Sequence, residues 1–215
     1  MSRTQLVTRG GLAMMLGGVL WIALRPLVAS SWGQPILGLS YEGYNRLMVA
    51  PLLLLLAGVL AFRRSLPPAE GRAARWGLAV LDLGVATSLA GVVIEFWWAG
   101  GLRGDRAGAL LGWGAYGLGL LGQAVGLTLF GVGALRAGHL PTWLATVAPA
   151  MAALHLLWLP SLHLRLARWS VADQVLIGLG WVTLGYALWA SRARGRRSPG
   201  TATPPAAGTG RRLSA

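Results

Sequence analysis

Along the 215 residues, apolar positions gather into six long runs, and most charged positions fall in the short breaks between them. A run of about 20 apolar residues wound as a helix matches the ~30 Å hydrocarbon layer of a bilayer and bonds every backbone group internally. The pattern therefore predicts an all-α polytopic membrane protein, a bundle of six transmembrane helices at about 11–29, 47–62, 76–98, 109–135, 142–162 and 171–190. These make one domain over 1–190. Pro51 falls near the start of the second run, where a proline is best tolerated, and the fourth is long enough to tilt or to end in a non-helical turn. From 191 to 215 the chain turns to Arg, Pro, Gly, Ala and Thr, which cannot bury enough apolar area to fold, and a disordered basic tail is expected.

The breaks differ in charge. One set collects Arg3, Arg9, Arg63, Arg64, Arg72, Arg75, Arg136 and the cluster Arg192, Arg194, Arg196 and Arg197. The other holds Arg46, Arg103, Arg106, Arg165 and Arg168, partly offset by Glu42, Asp105 and Asp173. Cytoplasmic loops retain positive charge, so both termini are expected in the cytoplasm. Trp76, Trp143 and Trp189 fall at the inner ends, while Trp32, Trp97, Trp98, Trp113 and Trp169 fall at the outer ends, as an aromatic belt requires. A competing reading of the first run exists, because Arg3, Arg9, the apolar stretch Gly11–Leu24 and the small residues Val28, Ala29 and Ser30 have the layout of a cleaved signal peptide.

Composition narrows the chemistry. The chain is 55% hydrophobic and 12% charged, with no Cys, which removes disulfides, thiolate nucleophiles and thiolate metal sites. All basic residues are Arg, and the net charge is +13. They flank spans rather than forming one soluble face, so anionic lipid headgroups are the expected partner and nucleic acid is not. Arg192, Arg194, Arg196 and Arg197 are the expected headgroup contacts, and an Arg-rich, Lys-free chain points to the plasma membrane of a GC-rich bacterium. Gly117, Gly119 and Gly122 spell a G-x-G-x-x-G, but inside a lipid-spanning run this is chance rather than a dinucleotide loop.

Ionisable groups inside spans are costly unless paired or hydrated, and four stand out: Arg25, Asp82, Glu95 and His155. Counting at 1.5 Å per residue puts Arg25, Glu95 and His155 in the outer half and Asp82 near the inner end, within reach of the inner arginines. Gly84, Ser88, Gly91 and Glu95 share a helical stripe, as do Ala145, Ala148, Ala152 and His155. Such small-residue faces turn Glu95 and His155 toward neighbouring helices, and Gln174, Gly178 and Gly185 do the same for the sixth. The stripe of Met14, Gly18, Trp21 and Arg25 is a weaker example. The expectation is an outward-facing polar site in which Arg25 pairs with Glu95, bordered by His155, Gln174, Tyr44 and Asn45. Ser170 to Asp173 reads as a capping box opening the last helix, with Asp173 serving the helix dipole. A relay from Asp82 to Glu95 would need Thr87, Gln123 and Tyr186 as intermediates.

No metal set, cofactor motif or catalytic constellation is expected. His155 and His163 lie eight residues apart on one helix and cannot ligate one iron from opposite faces, and His139 belongs to the other side of the membrane. The residues fit first a non-catalytic membrane scaffold or sensor component, which would hold partners, including copies of itself, through the Gly108/Gly112 and Gly122/Gly126 faces. The alternative is a small permease subunit using the Arg25, Glu95 and His155 region. A third class is an intramembrane enzyme acting on lipid, with Glu95 and His155 as its acid and base.

Overall fold

A computed structural model describes residues 3–66, 71–138, 141–163 and 167–195. The described residues are helical apart from short connections, with no strand beyond a single β-bridge between Ile36 and Leu39. The helices are α1 (Arg3–Ser30), α2 (Tyr41–Leu47), α3 (Val49–Ser65), α4 (Gly71–Val92), α5 (Arg106–Ala137), α6 (Thr142–His163) and α7 (Ala167–Gly195). Five segments are long and apolar enough to cross a membrane: Gln5–Ser30, Tyr41–Ser65, Gly71–Trp98, Arg106–Ala137 and Val171–Ala190. Thr142–Leu157 of α6 is apolar but shorter.

The last candidate span, Val171–Ala190, falls where expected, while the first and third start earlier, at Gln5 and Gly71. Three helix ends differ in geometry from the expected pattern. The second span begins at Tyr41 and breaks at Met48, because Pro51 lacks the amide that would bond the carbonyl of Leu47. The third leaves α-helical geometry at Val93 and finishes as a π-helical turn, Val93–Trp98, closed by the Ala99 amide on the Ile94 carbonyl at 2.8 Å. The last begins at Ala167, so Ser170 lies inside its first turn and is not the N-cap; its side chain, like those of His163 and Trp169, is outside the described residues. That helix also runs on through Arg192 and Arg194 to Gly195, while His139, Arg165, Arg196 and Arg197 fall outside the description. The fourth span stays continuous over 32 residues, capped by the Asp105 carboxylate on the amides of Ala107 and Gly108 and ended by Gly138 at φ 70°.

The six longer helices form a closed ring in chain order, α1, α3, α4, α5, α6 and α7, with α7 packed back on α1. The most intimate pairs are α4 with α5 and α1 with α7. Both are antiparallel seams with glycine every seventh residue. On α5, a methyl group at Gly112, Gly126 or Gly133 would come within 2.5 Å of the backbone nitrogens of Glu95, Leu81 and Ala74, and Gly119 meets Ser88 in the same way. The α4 glycines 77, 84 and 91 fill the intervening places, facing Phe130, Gln123 and Tyr116. The Gly122 of the expected pairs touches Gly84 as well, but Gly108 rests on Asp105 and Ala99 at the helix start. In the second seam Gly11 meets Trp189, Gly18 meets Val182, Gly178 meets Ile22 and Gly185 meets Met15. Gly10 and Gly17, one residue earlier on α1, face Ala61 and Leu55 of α3, so adjacent glycines serve two neighbours.

Lipid tails are as apolar as leucine, so helices in a membrane associate through close packing rather than by expelling water. Met14, Trp21, Leu55, Val59, Leu78, Leu127, Phe130 and Trp181 are buried within the ring. Leu12, Leu16, Leu83, Leu118 and Leu179 are among the large apolar side chains facing out, the arrangement lipid permits. Exposed Trp76, Trp143 and Trp189 mark the end of the bundle where α3 turns to α4, here called proximal. Exposed Trp32, Trp97, Trp98 and Trp113 mark the distal end, where α1 turns to α2 and α4 to α5.

Placing a side chain in a seam forces backbones apart. Gly119→Leu and Gly126→Leu are expected to destabilise the protein by about 1–3 kcal/mol or prevent folding. Gly114 has nothing within 4 Å, and Gly114→Ala should be neutral or stabilising by up to about 1 kcal/mol. Thermal unfolding in detergent measures both; equal losses at the seam and the open position would refute the seam as the source of stability.

Candidate functional site

The distal ends of the two seams meet around a cavity of about 250 Å³, lined by Arg25, Trp32, Tyr41, Asn45, Met48, Val92, Glu95, Phe96, Trp113 and Tyr116. Its position follows from the heptads. Arg25 stands one further step of seven beyond Gly11 and Gly18 on α1, and Glu95 one step beyond Ala74, Leu81 and Ser88 on α4. Glu95 keeps the tight contact of its seam, against Gly112, and with Arg25 it lines the cavity beside the seam ends.

Arg25 and Glu95 therefore share a cavity, but the expected ion pair between them is not formed. Among the described residues the ion pairs are Arg63 with Asp82 at 2.9 Å and, more loosely, Arg103 with Glu42 at 4.0 Å. The Arg25 guanidinium instead donates to the Tyr116 hydroxyl. It also lies over the rings of Trp21, 4.6 Å from the centroid, and Tyr116, at 5.5 Å. Its stem leaves α1 beside α7, and it interacts electrostatically with Tyr41 on the cavity side and with Asp173 behind. Tyr41 lines the same cavity as both charges.

Glu95 is buried in the π-helical turn beside Phe96. Single π-turns within α-helices recur at functional sites because the extra residue re-aims a side chain and loosens a carbonyl. Here the Phe96 carbonyl is taken by the Arg46 side chain, whose Nε donates at 2.8 Å while its guanidinium approaches the Trp97 ring. The rest of the rim is a short α2 capped by Ser40, which accepts from the Gly43 amide at 3.3 Å. Tyr44 hydroxyl donates to the Ile36 carbonyl and Asn45 to the Tyr41 carbonyl. Asn45 lines the cavity, whereas Tyr44 braces the loop beneath. Trp32 and Phe96 pack edge-on to Tyr41 with centroids 4.7 and 5.9 Å away.

His155 and Gln174 are buried but do not line this cavity. His155 Nδ1 is bonded to the Met151 carbonyl at 2.7 Å, and its Nε2 has no hydrogen-bond partner. His155 of α6 and Asp173 and Gln174 of α7 are thus buried polar side chains outside the cavity lining. The Asp173 oxygens, Gln174 Oε1, Arg25 Nε and the indole nitrogens of Trp21 and Trp181 likewise lack well-formed hydrogen bonds, although the Gln174 amides lie close to Asp173. Asp173 is thus a buried neighbour of Arg25 and not a capping residue; sequence reasoning missed it because the true helix start lies a turn earlier.

At the proximal end Asp82 reaches Arg63. The relay residues are not joined: Gln123 donates to the Ser88 hydroxyl at 2.9 Å, and Tyr186 is exposed on the outer surface beside Trp189. Among the described residues no three His, Asp or Glu side chains cluster as metal ligands. The fold and site define a helical bundle with membrane-length spans and a charged, aromatic-walled cavity at one end. Family models, curated proteins and solved structures all fail to match the chain.

The Arg25 to Tyr116 bond ties α1 to α5 across the cavity. In a double-mutant cycle, Arg25→Gln and Tyr116→Phe should show a coupling of about 0.5–3 kcal/mol in thermal stability. Strict additivity would mean that the bond contributes nothing.

Proposed function

We propose that this chain is a six-span protein of a bacterial plasma membrane, with both termini cytoplasmic, that acts as a non-catalytic sensor or binding component. Its distal cavity faces outward and takes a small zwitterionic ligand. One observation carries the reading: Arg25 and Glu95 line one cavity without neutralising each other. Opposite charges held apart in a membrane protein are costly, and they complement a ligand that brings the reverse pair. Trp32, Tyr41, Phe96 and Trp113 supply faces suited to a quaternary or primary ammonium beside Glu95, and Arg25 suits a carboxylate or phosphate. The volume suits a molecule of amino-acid or betaine size.

A permease subunit is the second reading, favoured by the polar groups of His155, Asp173 and Gln174 lying behind Arg25 as a step inward. The lipid-modifying reading has less support, because Glu95 and His155 do not meet in one cavity. The basic tail, with Arg192, Arg194, Arg196 and Arg197, serves as a generic anchor on anionic headgroups, and the open Gly114 and Gly117 face of α5 is available for a second copy.

The absence of native cysteine makes single-cysteine variants clean reporters. In sealed cells an impermeant maleimide should label Asn45→Cys and leave Arg136→Cys untouched; the reverse pattern would invert the topology. Betaine-like zwitterions are expected to raise the melting temperature of the detergent-solubilised protein, and Glu95→Gln should weaken that effect by roughly ten-fold in ligand concentration. Equal response to purely anionic analogues, or an unaltered response in Glu95→Gln, would sink the reading. Ligand uptake into sealed proteoliposomes would move the assignment from sensor to permease.

A further inference from the structure

The proximal end carries a second cavity, independent of the distal one. It measures about 400 Å³ and is lined by Arg63, Arg72, Arg75, Trp76 and Ala79. Three guanidinium groups from two helices thus converge on one space, and the closest described acid, Asp82, is already bonded to Arg63 at 2.9 Å. That bond holds one wall of the cavity in place, and Arg72 and Arg75 bring two further guanidinium groups to it.

The location of Arg72 and Arg75 is informative in itself. Both lie in the first turns of α4, which has no acidic residue in its first turn. The helix dipole is positive there, so cations are disfavoured and an anion is favoured. Arg63 and Arg64, at the C-terminal end of α3, obey the same rule that Arg72 and Arg75 break. Topology requires only that positive residues flank the spans, not that they surround a cavity. Trp76, exposed on its rim, is the residue type that settles at the headgroup and glycerol level of a bilayer.

We propose that this cavity is a specific site for the phosphodiester of an anionic phospholipid, with Arg72 and Arg75 binding the phosphate, Arg63 supporting it from the Asp82 pair, and Trp76 packing on the glycerol region. Guanidinium forks match phosphate oxygens two at a time, which gives geometric selectivity beyond charge. This differs from the tail, whose arginines attract any anionic surface.

The test is native mass spectrometry of the full chain in detergent loaded with phosphatidylglycerol or phosphatidylcholine. Retention of phosphatidylglycerol over phosphatidylcholine is expected, and Arg72→Gln/Arg75→Gln should reduce it by roughly ten-fold or more. Arg103→Gln/Arg106→Gln removes equal charge from the distal end and should leave it unchanged. Inorganic phosphate should not displace the lipid, since it lacks the Trp76 contact. Equal loss in the distal control, loss on neutralising the tail arginines alone, or displacement by phosphate would overturn the proposal. Should the double variant fail to fold, the wild-type chain decides: phosphatidylglycerol is expected to protect Arg72 and Arg75, and not Arg103, from phenylglyoxal, and unprotected modification would refute the site.

Discussion

Backbone proximity is the constraint on which this molecule depends. In water a helical bundle can be loose and still be held by the burial of leucine; in lipid that driving force vanishes, and helices cohere only where atoms touch over long stretches. Glycine every seventh residue lets α4 lie on α5, and α1 on α7, with main chain against main chain. The spacing also fixes sliding. Because Glu95, Ser88, Leu81 and Ala74 each sit opposite a glycine, shifting either helix by one residue would drive a side chain into a backbone at every level. The seams therefore set register as well as distance.

Register is what builds the distal site. Glu95 and Tyr116 arrive at one height because their helices can pair in only one alignment, and Arg25 arrives at the end of the other seam by the same rule. Glu95 still lies against Gly112 at the last tight step of its seam, and the cavity opens beside it, between that seam and Arg25. Arg25 is kept in place by a phenol, two aromatic faces and a carboxylate behind it, a set that holds a guanidinium without cancelling the charge of Glu95.

Much of this is legible in the sequence. The apolar runs located the helices, and helical phase turned Glu95 and His155 inward, as burial confirms. The α1 stripe of Met14, Gly18, Trp21 and Arg25 was the weakest sequence case, yet it lies in one of the two tightest contacts. The seven-residue spacing of Gly112, Gly119, Gly126 and Gly133 was visible in the letters, but reading glycines as four-residue pairs hid it. Other features had no local signature. The π-turn at Val93–Trp98 and the choice of Tyr116 over Glu95 by Arg25 depend on groups more than forty residues apart in the chain, so periodicity on one helix could not reveal them. Asp173 was misassigned because a serine followed by an acid three residues later looks alike at a helix start and one turn beyond it.

The π-turn adds one residue to a helix that otherwise keeps strict step, which rotates everything after it by about 100° relative to the seam below. The packed bundle and the distal rim are thus geared separately. Evolution could lengthen, shorten or re-aim the rim that carries Trp97, Trp98 and the following loop while the glycine contacts beneath remain undisturbed. The distal rim is thereby free to vary in shape while one bundle is preserved, with the insertion point acting as the clutch between them.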